Sequence, residues 1–343
     1  MKEQNIPLEA WRDHVLELEK QLNRVVLGQQ AVIRQLLVAV SAHGHVLLEG
    51  GVGVGKTTTL RALACLIGGP FQRIEGTVDL LPTDLIYYTR LDDEGRPRVE
   101  PGPMLQHGEK LAVFFFNEIN RARPQVHSQL LRVMAERQVR AFERDYSFPH
   151  LLVFADRNRV EREETFELPA AARDRFFMEI DMAAPGDETC RENLAFEPRF
   201  YNAAALVSSL PQGVFDYRHL GELALEIQNR IATTPALRKY VLDLWRATEA
   251  PGRFNVQLPE VEMSRFVLAG ASPRGAAALV RAARVHAWLA GRKAVAPEDV
   301  QAVFRPVMGH RIFLQPVYEA QREWWMPLLL DAILDQVTTP DLS

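Results

Sequence analysis

Short apolar runs and helically spaced apolar residues alternate along the first half of this chain. The runs are HVLLEG at 45–50, FQRIEG at 71–76, LAVFFFNE at 111–118, HLLVFAD at 150–156 and RFFMEIDM at 175–182. Near-continuous hydrophobicity over so few residues predicts strands buried on both faces, as in a parallel sheet covered by helices. Between them, Trp11, Val15, Leu18 and Leu22 predict an opening amphipathic helix that ends before VVLGQQ, and a second helix is expected over 30–42. Leu60, Leu63, Ala64 and Ile67 repeat the helical spacing after the first run. Two segments break the alternation, YYTRLDDEGRPRVEPG at 87–102 and RQVRAFERDYSF at 137–148; each has a polar turn between extended flanks and predicts a β-hairpin projecting from the core. After Ala183 the strand runs stop, and helical patterns such as YRHLGELALEIQNRI, GAAALVRAARVHAWLAGR and REWWMPLLLDAILDQV take over. The expected fold is an α/β core with a parallel five-stranded sheet over 1–183, followed by an all-helical domain over 184–343.

Composition narrows the partners more than the fold. The 343 residues suit two domains. The chain carries 40 Lys and Arg against 44 Asp and Glu, a net charge of -4, which gives no global pull toward nucleic acid or an anionic membrane. Its two cysteines, Cys65 and Cys190, lie far apart without metal-binding spacing, so neither a disulfide framework nor a zinc site is expected. The opening MKEQNIPLEAW has no apolar leader core, and no run approaches the roughly 18 apolar residues of a membrane span. A cytoplasmic protein with no membrane span is the expectation.

The strongest chemical signal is GGVGVGKT at 50–57, which fits G-x-x-x-x-G-K-[ST] without a mismatch. Glycines let backbone N–H groups converge on phosphates, and the following helix adds its positive N-terminal end. Lys56 is placed to bridge the β and γ phosphates of ATP, and Thr57 to offer its hydroxyl to Mg²⁺. Gly50, Gly53, Val54, Gly55, Lys56, Thr57 and Thr58 are therefore the expected nucleotide contacts. The strand before, the helix after and the Lys-Thr pair set this apart from an ordinary Gly-rich turn.

With these residues in view, the sequence resembles the MoxR family of AAA+ ATPases from about Val25 to Ile312. VVLGQQAV is similar to the family's opening motif near the adenine, which implies contacts from Val26 and Gly28. DLLPTDL resembles the segment leading into its helix-2 insertion, and FFFNEINRARPQVHSQLLRVMAERQV its Walker B region. FADRN resembles sensor 1, TFELPAAARDRF the segment bearing the arginine finger, and GASPRGAAALVRAARVHAWLAGR the sensor 2 helix of an all-helical lid. The resemblance implies an ATP-dependent homo-oligomeric ring, usually hexameric, that remodels or activates client proteins, often with a von Willebrand A-domain partner. It implies that Glu118 polarises the attacking water, that Asn158 helps position it, that Arg175 reaches a neighbouring subunit's nucleotide and that Arg274 touches the phosphates from the lid. Arg173 is the other candidate for the finger, and Arg121 is a further candidate to face a neighbouring nucleotide.

The departure from the pattern is Asn117. In P-loop NTPases an Asp here helps to hold Mg²⁺; Asn keeps one oxygen acceptor and loses the charge. Losing about 2 to 4 kcal/mol of transition-state stabilisation would slow turnover roughly 30- to 1000-fold. Thr57 and Asn117 are the expected metal donors, with ATP binding better preserved than hydrolysis. The expectation is a slow or partner-dependent ATPase, with a nucleotide-gated scaffold as the alternative. A nucleic-acid translocase ranks below both: Arg90, Arg96, Arg98, Arg137, Arg140 and Arg144 on the predicted hairpins are interleaved with Asp92, Asp93, Glu94, Glu100, Glu143 and Asp145, which cancel much of their charge.

Overall fold

A computed structural model describes residues 7–158 and 165–340; residues 1–6, read above for a leader, lie outside them. The five apolar runs fold as β1 (Val46–Glu49), β2 (Phe71–Glu75), β5 (Val113–Asn117), β8 (Leu152–Arg157) and β9 (Met178–Asp181). Among the described residues they form a five-stranded sheet in the order β2-β5-β8-β1-β9. The β2–β5, β5–β8 and β1–β8 pairs are all parallel. All of β1 and β5, and β8 up to its last residue, are buried. Both faces are therefore covered, which is why these strands read as unbroken apolar runs.

The helices before and within this core are α1 (Leu8–Val25), α2 (Gln30–Ser41), α3 (Lys56–Leu66), α4 (Pro124–Glu136) and α5 (Ala170–Arg173). Trp11, Val15, Leu18 and Leu22 all lie on the buried side of α1, as their spacing requires. Both hairpins are present as antiparallel pairs, β3 (Tyr87–Leu91) with β4 (Pro97–Pro101) and β6 (Gln138–Ala141) with β7 (Arg144–Ser147).

Beyond β9 come α6 (Glu188–Phe196), α7 (Ala203–Ser208), α8 (Leu220–Arg230), α9 (Pro235–Glu249), α10 (Pro273–Leu289), α11 (Pro297–Met308), α12 (Pro316–Glu319) and α13 (Arg322–Gln336). The all-helical expectation needs one amendment, because β10 (Val267–Ala269) pairs antiparallel with β11 (Phe313–Leu314). Strands this short leave no periodic signal to read. The described residues up to Arg175 form one compact unit with Ile180–Gly221, and Phe176–Glu179 group with the residues from Glu222 onward in the second. Residues 184–221, assigned to the second domain from the sequence, thus cluster with the first unit.

In the second unit α13 buries Met326, Leu329, Leu330 and Ile333, and Trp325 packs edge-on against Phe266 and Tyr318. Trp324 on the same helix is 66% exposed. No helix among the described residues is long and apolar enough to cross a membrane.

Candidate functional site

The turn from β1 into α3 is shaped by its glycines. Gly50 lies where a Cβ would come within 2.2 Å of the Met182 carbonyl oxygen, so only glycine lets the loop start against that backbone. Gly55 precedes α3 in the left-handed region (φ 95°), a conformation that L side chains adopt at a cost. No side chain caps the helix, so the N–H groups of its first turn and the positive end of its dipole remain directed at the loop. Val52 and Gly53 form an exposed tip, and Val54, Thr57 and Thr58 are half-buried. Thr59 Oγ1 donates to the Gly55 carbonyl at 2.9 Å and braces the first turn.

The Lys56 ammonium is held by two partners. Its Nζ donates to the Gly50 carbonyl at 2.8 Å and pairs with Asp156 Oδ2 at 2.7 Å, where the Asp156 side chain is only 1% exposed. Asp156 lies on β8, and its other oxygen accepts the Glu118 backbone N–H at 2.5 Å. One carboxylate thus joins the phosphate loop to the end of β5. Glu118 itself adopts φ 54° and ψ 51°, a left-handed conformation that costs a non-glycine residue on the order of 1 kcal/mol or more. The Gly76 N–H donates to the Asn117 carbonyl at 2.7 Å, and His127 Nε2 donates to the Ile119 carbonyl at 2.6 Å. The hydrogen bonds on Asn117, Glu118 and Ile119 over-determine the turn that carries Glu118. Arg121 Nη1 donates to Glu118 Oε2 at 3.2 Å.

Asn117 is buried at the end of β5, opposite Glu75 of β2, and its side-chain Nδ2 donates to Glu75 Oε1. A carboxylate at 117 would instead face the Glu75 carboxylate at contact distance, a repulsive arrangement. Glu75 also pairs with Arg73 at 2.7 Å. Asn158, 6% exposed, directly follows Arg157, whose Nη2 pairs with Glu49 Oε2 at 3.1 Å across the β8–β1 register.

The donor set suits Mg²⁺, a hard cation bound by oxygen and usually held by one or two carboxylates together with waters and substrate phosphates. Thr57 offers a hydroxyl, Asn117 a carboxamide oxygen and Asp156 a carboxylate. Among the described residues no group of three or more His, Cys, Asp or Glu could hold a metal ion.

Val26 and Gly28 lie in the α1–α2 turn, with Val26 buried. Gly28 packs against Pro185, and Gln29 Nε2 donates to the Ala183 carbonyl at 2.5 Å. The neighbouring Met182 N–H donates to the Glu49 carbonyl at 2.7 Å. Residues 182–185 therefore connect the Val26–Gly28 turn to the base of the phosphate loop. The loop, Asn117 and Glu118 are drawn together by Asp156 and its neighbours. Arg175 stands apart from those contacts, half-buried between α5 and β9, while Arg173 is buried at 7% exposure. Arg274 belongs to the second unit, exposed on the first turn of α10 behind Pro273.

Sequence reasoning passed over Asp156 and Glu75. Asp156 stands within the FADRN segment, and the available signal was a carboxylate closing an otherwise apolar strand. Only tertiary structure pairs it with Lys56.

Residues 45–178 match the family model for the ATPase family associated with various cellular activities (AAA), and residues 263–324 match that for the AAA lid domain. The chain is 57% identical to protein MoxR of Methylorubrum extorquens, with 97% of each chain covered. It is 56% identical to protein MoxR of Paracoccus denitrificans, over 96% of this chain and 97% of that protein. Identity to the chaperone MoxR1 of Mycobacterium tuberculosis is 34%, over 94% of this chain and 81% of the relative. The crystal structure of a putative ATPase from Cytophaga hutchinsonii aligns with TM-score 0.81 and 30% identity, covering 97% of both chains. A glycine loop between a buried strand and a helix, the parallel sheet behind it and full-length relatives agree: the chain belongs to the MoxR family of AAA+ ATPases.

Proposed function

We propose that this ATPase binds ATP with Mg²⁺ on the loop from Gly50 to Thr58, with the α1–α2 turn at Val26 and Gly28 beside the base. In this reading it hydrolyses ATP as a homo-oligomeric ring, hexameric by family resemblance, and uses the cycle to remodel or activate client proteins in the cytoplasm, together with a von Willebrand A-domain partner. The observation that carries this reading is the Lys56–Asp156–Glu118 junction, which fixes a cation for the phosphates beside a carboxylate poised at a strand end.

In this reading Glu118 takes the proton from the attacking water. Its fixed turn keeps the carboxylate aimed, and general-base help of this kind is worth about 10²- to 10⁴-fold. Asn158 donates to or accepts from the same water. Lys56 and the first-turn N–H groups of α3 neutralise negative charge on the phosphates. Thr57 and Asn117 would hold Mg²⁺, which when bound neutralises charge between the β and γ phosphates. Arg175 would supply a finger in trans, a contact worth about 10³- to 10⁵-fold; its greater exposure favours it over buried Arg173. Arg274 would act on the nucleotide from the lid.

The first hairpin favours a protein rather than a nucleic-acid partner. Arg98 pairs with Asp92 at 3.5 Å, Arg96 with Glu94 at 3.5 Å and Arg90 with Glu100 at 3.9 Å, so these arginines face local carboxylates more than a phosphate backbone.

Phosphate release and nucleotide binding, measured side by side, test the reading. The parent should release phosphate only with Mg²⁺, and Glu118→Gln should bind ATP within about threefold of the parent while turnover falls at least 100-fold. A parent that binds ATP tightly but shows the same negligible release as Glu118→Gln would instead establish the nucleotide-gated scaffold.

A further inference from the structure

The charge missing at position 117 has a candidate source on the neighbouring strand. β5 and β8 run parallel in register through Phe116 and Ala155, so the next residues of the two strands are Asn117 and Asp156. Asp156 is almost fully buried, its Oδ2 lies 2.7 Å from Lys56 Nζ, and its Oδ1 accepts the Glu118 N–H. Asn117, in contrast, donates its amide to Glu75 on the other side. A planar carboxamide has one oxygen, so committing its nitrogen to Glu75 leaves Oδ1 as its only acceptor.

We propose that the metal-directed negative charge of this ATPase has moved one strand across the sheet, from residue 117 to Asp156, which takes the role of the Walker B aspartate for Mg²⁺. The inference rests on the ATP-binding reading given above. Both neighbours of Asn117 explain the exchange. On β2, Glu75 would oppose a carboxylate at 117; on β8, Asp156 already supplies a charge next to Lys56. Glu75 and Glu118 already engage Arg73 and Arg121, so a second carboxylate beside Asp156 on the adjacent strand end would crowd negative charge against the Lys56 ammonium. An amide at 117 relieves that crowding and keeps the strand end hydrogen-bonded. Asp156 then serves two ends. In its pairing with Lys56 it sets the ammonium position, and through Oδ1 it holds the backbone of Glu118, so one side chain couples the metal region to the residue proposed to act on water.

The test reads binding, without turnover. The affinity of the fluorescent nucleotide mant-ATP is measured in Mg²⁺ and in EDTA for four full-length chains: the parent, Asp156→Asn, Asn117→Asp, and the double exchange Asn117→Asp with Asp156→Asn. Asn at 156 preserves an oxygen acceptor for the Glu118 N–H, so the fold of the turn is retained. The parent should bind at least tenfold more tightly in Mg²⁺ than in EDTA. Asp156→Asn should lose at least tenfold of that preference, and the double exchange should recover it to within about threefold. Asn117→Asp alone should raise the preference by less than about threefold, because the role is already filled. The proposal is overturned if Asp156→Asn keeps the parent's Mg²⁺ preference, or if Asn117→Asp alone strengthens it tenfold or more. Absence of mant-ATP binding by the parent in both media would overturn the ATP-binding reading itself, and with it this inference.

Discussion

Glu118 and its surroundings show how neighbouring hydrogen bonds keep a single residue in an unfavourable backbone conformation. The left-handed backbone at 118 persists because Asp156, Gly76 and His127 each tie down a group on residues 117–119. His127 is 1% exposed, and burial pushes its pKa below the ordinary value, against a smaller opposing contribution from its hydrogen bond to the Ile119 carbonyl. The folded protein therefore resists protonating His127, whereas the unfolded chain takes up the proton near its ordinary value of about 6.5. Stability is fully present above that value and falls as the pH drops below it, down to the lowered folded-state value. His150 acts with the same sign, burial again being the largest cause. Thermal unfolding at pH 7.5 and pH 5.5 should show the parent losing stability, and His127→Gln, which keeps an amide donor without titrating, should lose less. An equal loss in both chains would remove His127 from this account.

At the scale of elements, the second unit is pinned through one buried cation. Arg311 is 2% exposed and donates to the Phe176, Phe177 and Val307 carbonyls. Its Cδ lies where a Cβ on Gly275 would come within 2.6 Å. The absent side chain of Gly275 leaves the room that the Arg311 side chain takes, and the guanidinium binds the Phe176 and Phe177 carbonyls within the second unit. Arg311→Met should destabilise the protein by about 3 kcal/mol or more, since it strands buried carbonyls that an apolar side chain cannot satisfy. Arg311→Lys should recover only part, because a point ammonium cannot reproduce the guanidinium fork. Denaturant titration reads both effects.

The elements also separate what was legible from what was not. The central strands β1, β5 and β8 were readable because burial on two faces leaves an unbroken apolar run, the partly exposed edge strands β2 and β9 carry a more broken one, and α1 was readable because one-sided burial leaves a 3.6-residue stripe. The strand, glycine loop and helix over β1 and α3 were readable because that turn demands glycines at fixed spacing. Three features were not. The β10–β11 ladder is too short to carry a pattern, and Trp324 shares a helix with buried apolar residues yet faces outward. Asp156 resembles any acid at a strand end until the fold brings Lys56 to it. Local periodicity records burial, whereas a side chain's charge partner depends on strand order.

For the whole molecule, the proposed mechanism makes activity a property of assembly. If each site draws Glu118 from one subunit and Arg175 from the next, two inactive chains can repair one another. Arg175→Ala and Glu118→Gln should each turn over at least 100-fold slower than the parent, and mixing them should restore part of the activity. The repaired interfaces take Glu118 from the Arg175→Ala chain and Arg175 from the Glu118→Gln chain. Phosphate release by the mixture no greater than the sum of its parts would place the finger elsewhere, with Arg173 the next to substitute.

The most direct measurement is Mg²⁺-dependent phosphate release per subunit across a wide range of protein concentration, with molecular mass followed in the same samples. The account predicts specific activity that climbs with concentration, levels off as the ring assembles and is absent throughout in Glu118→Gln. Specific activity that stays constant down to concentrations where the chain is monomeric would contradict a site completed by its neighbour.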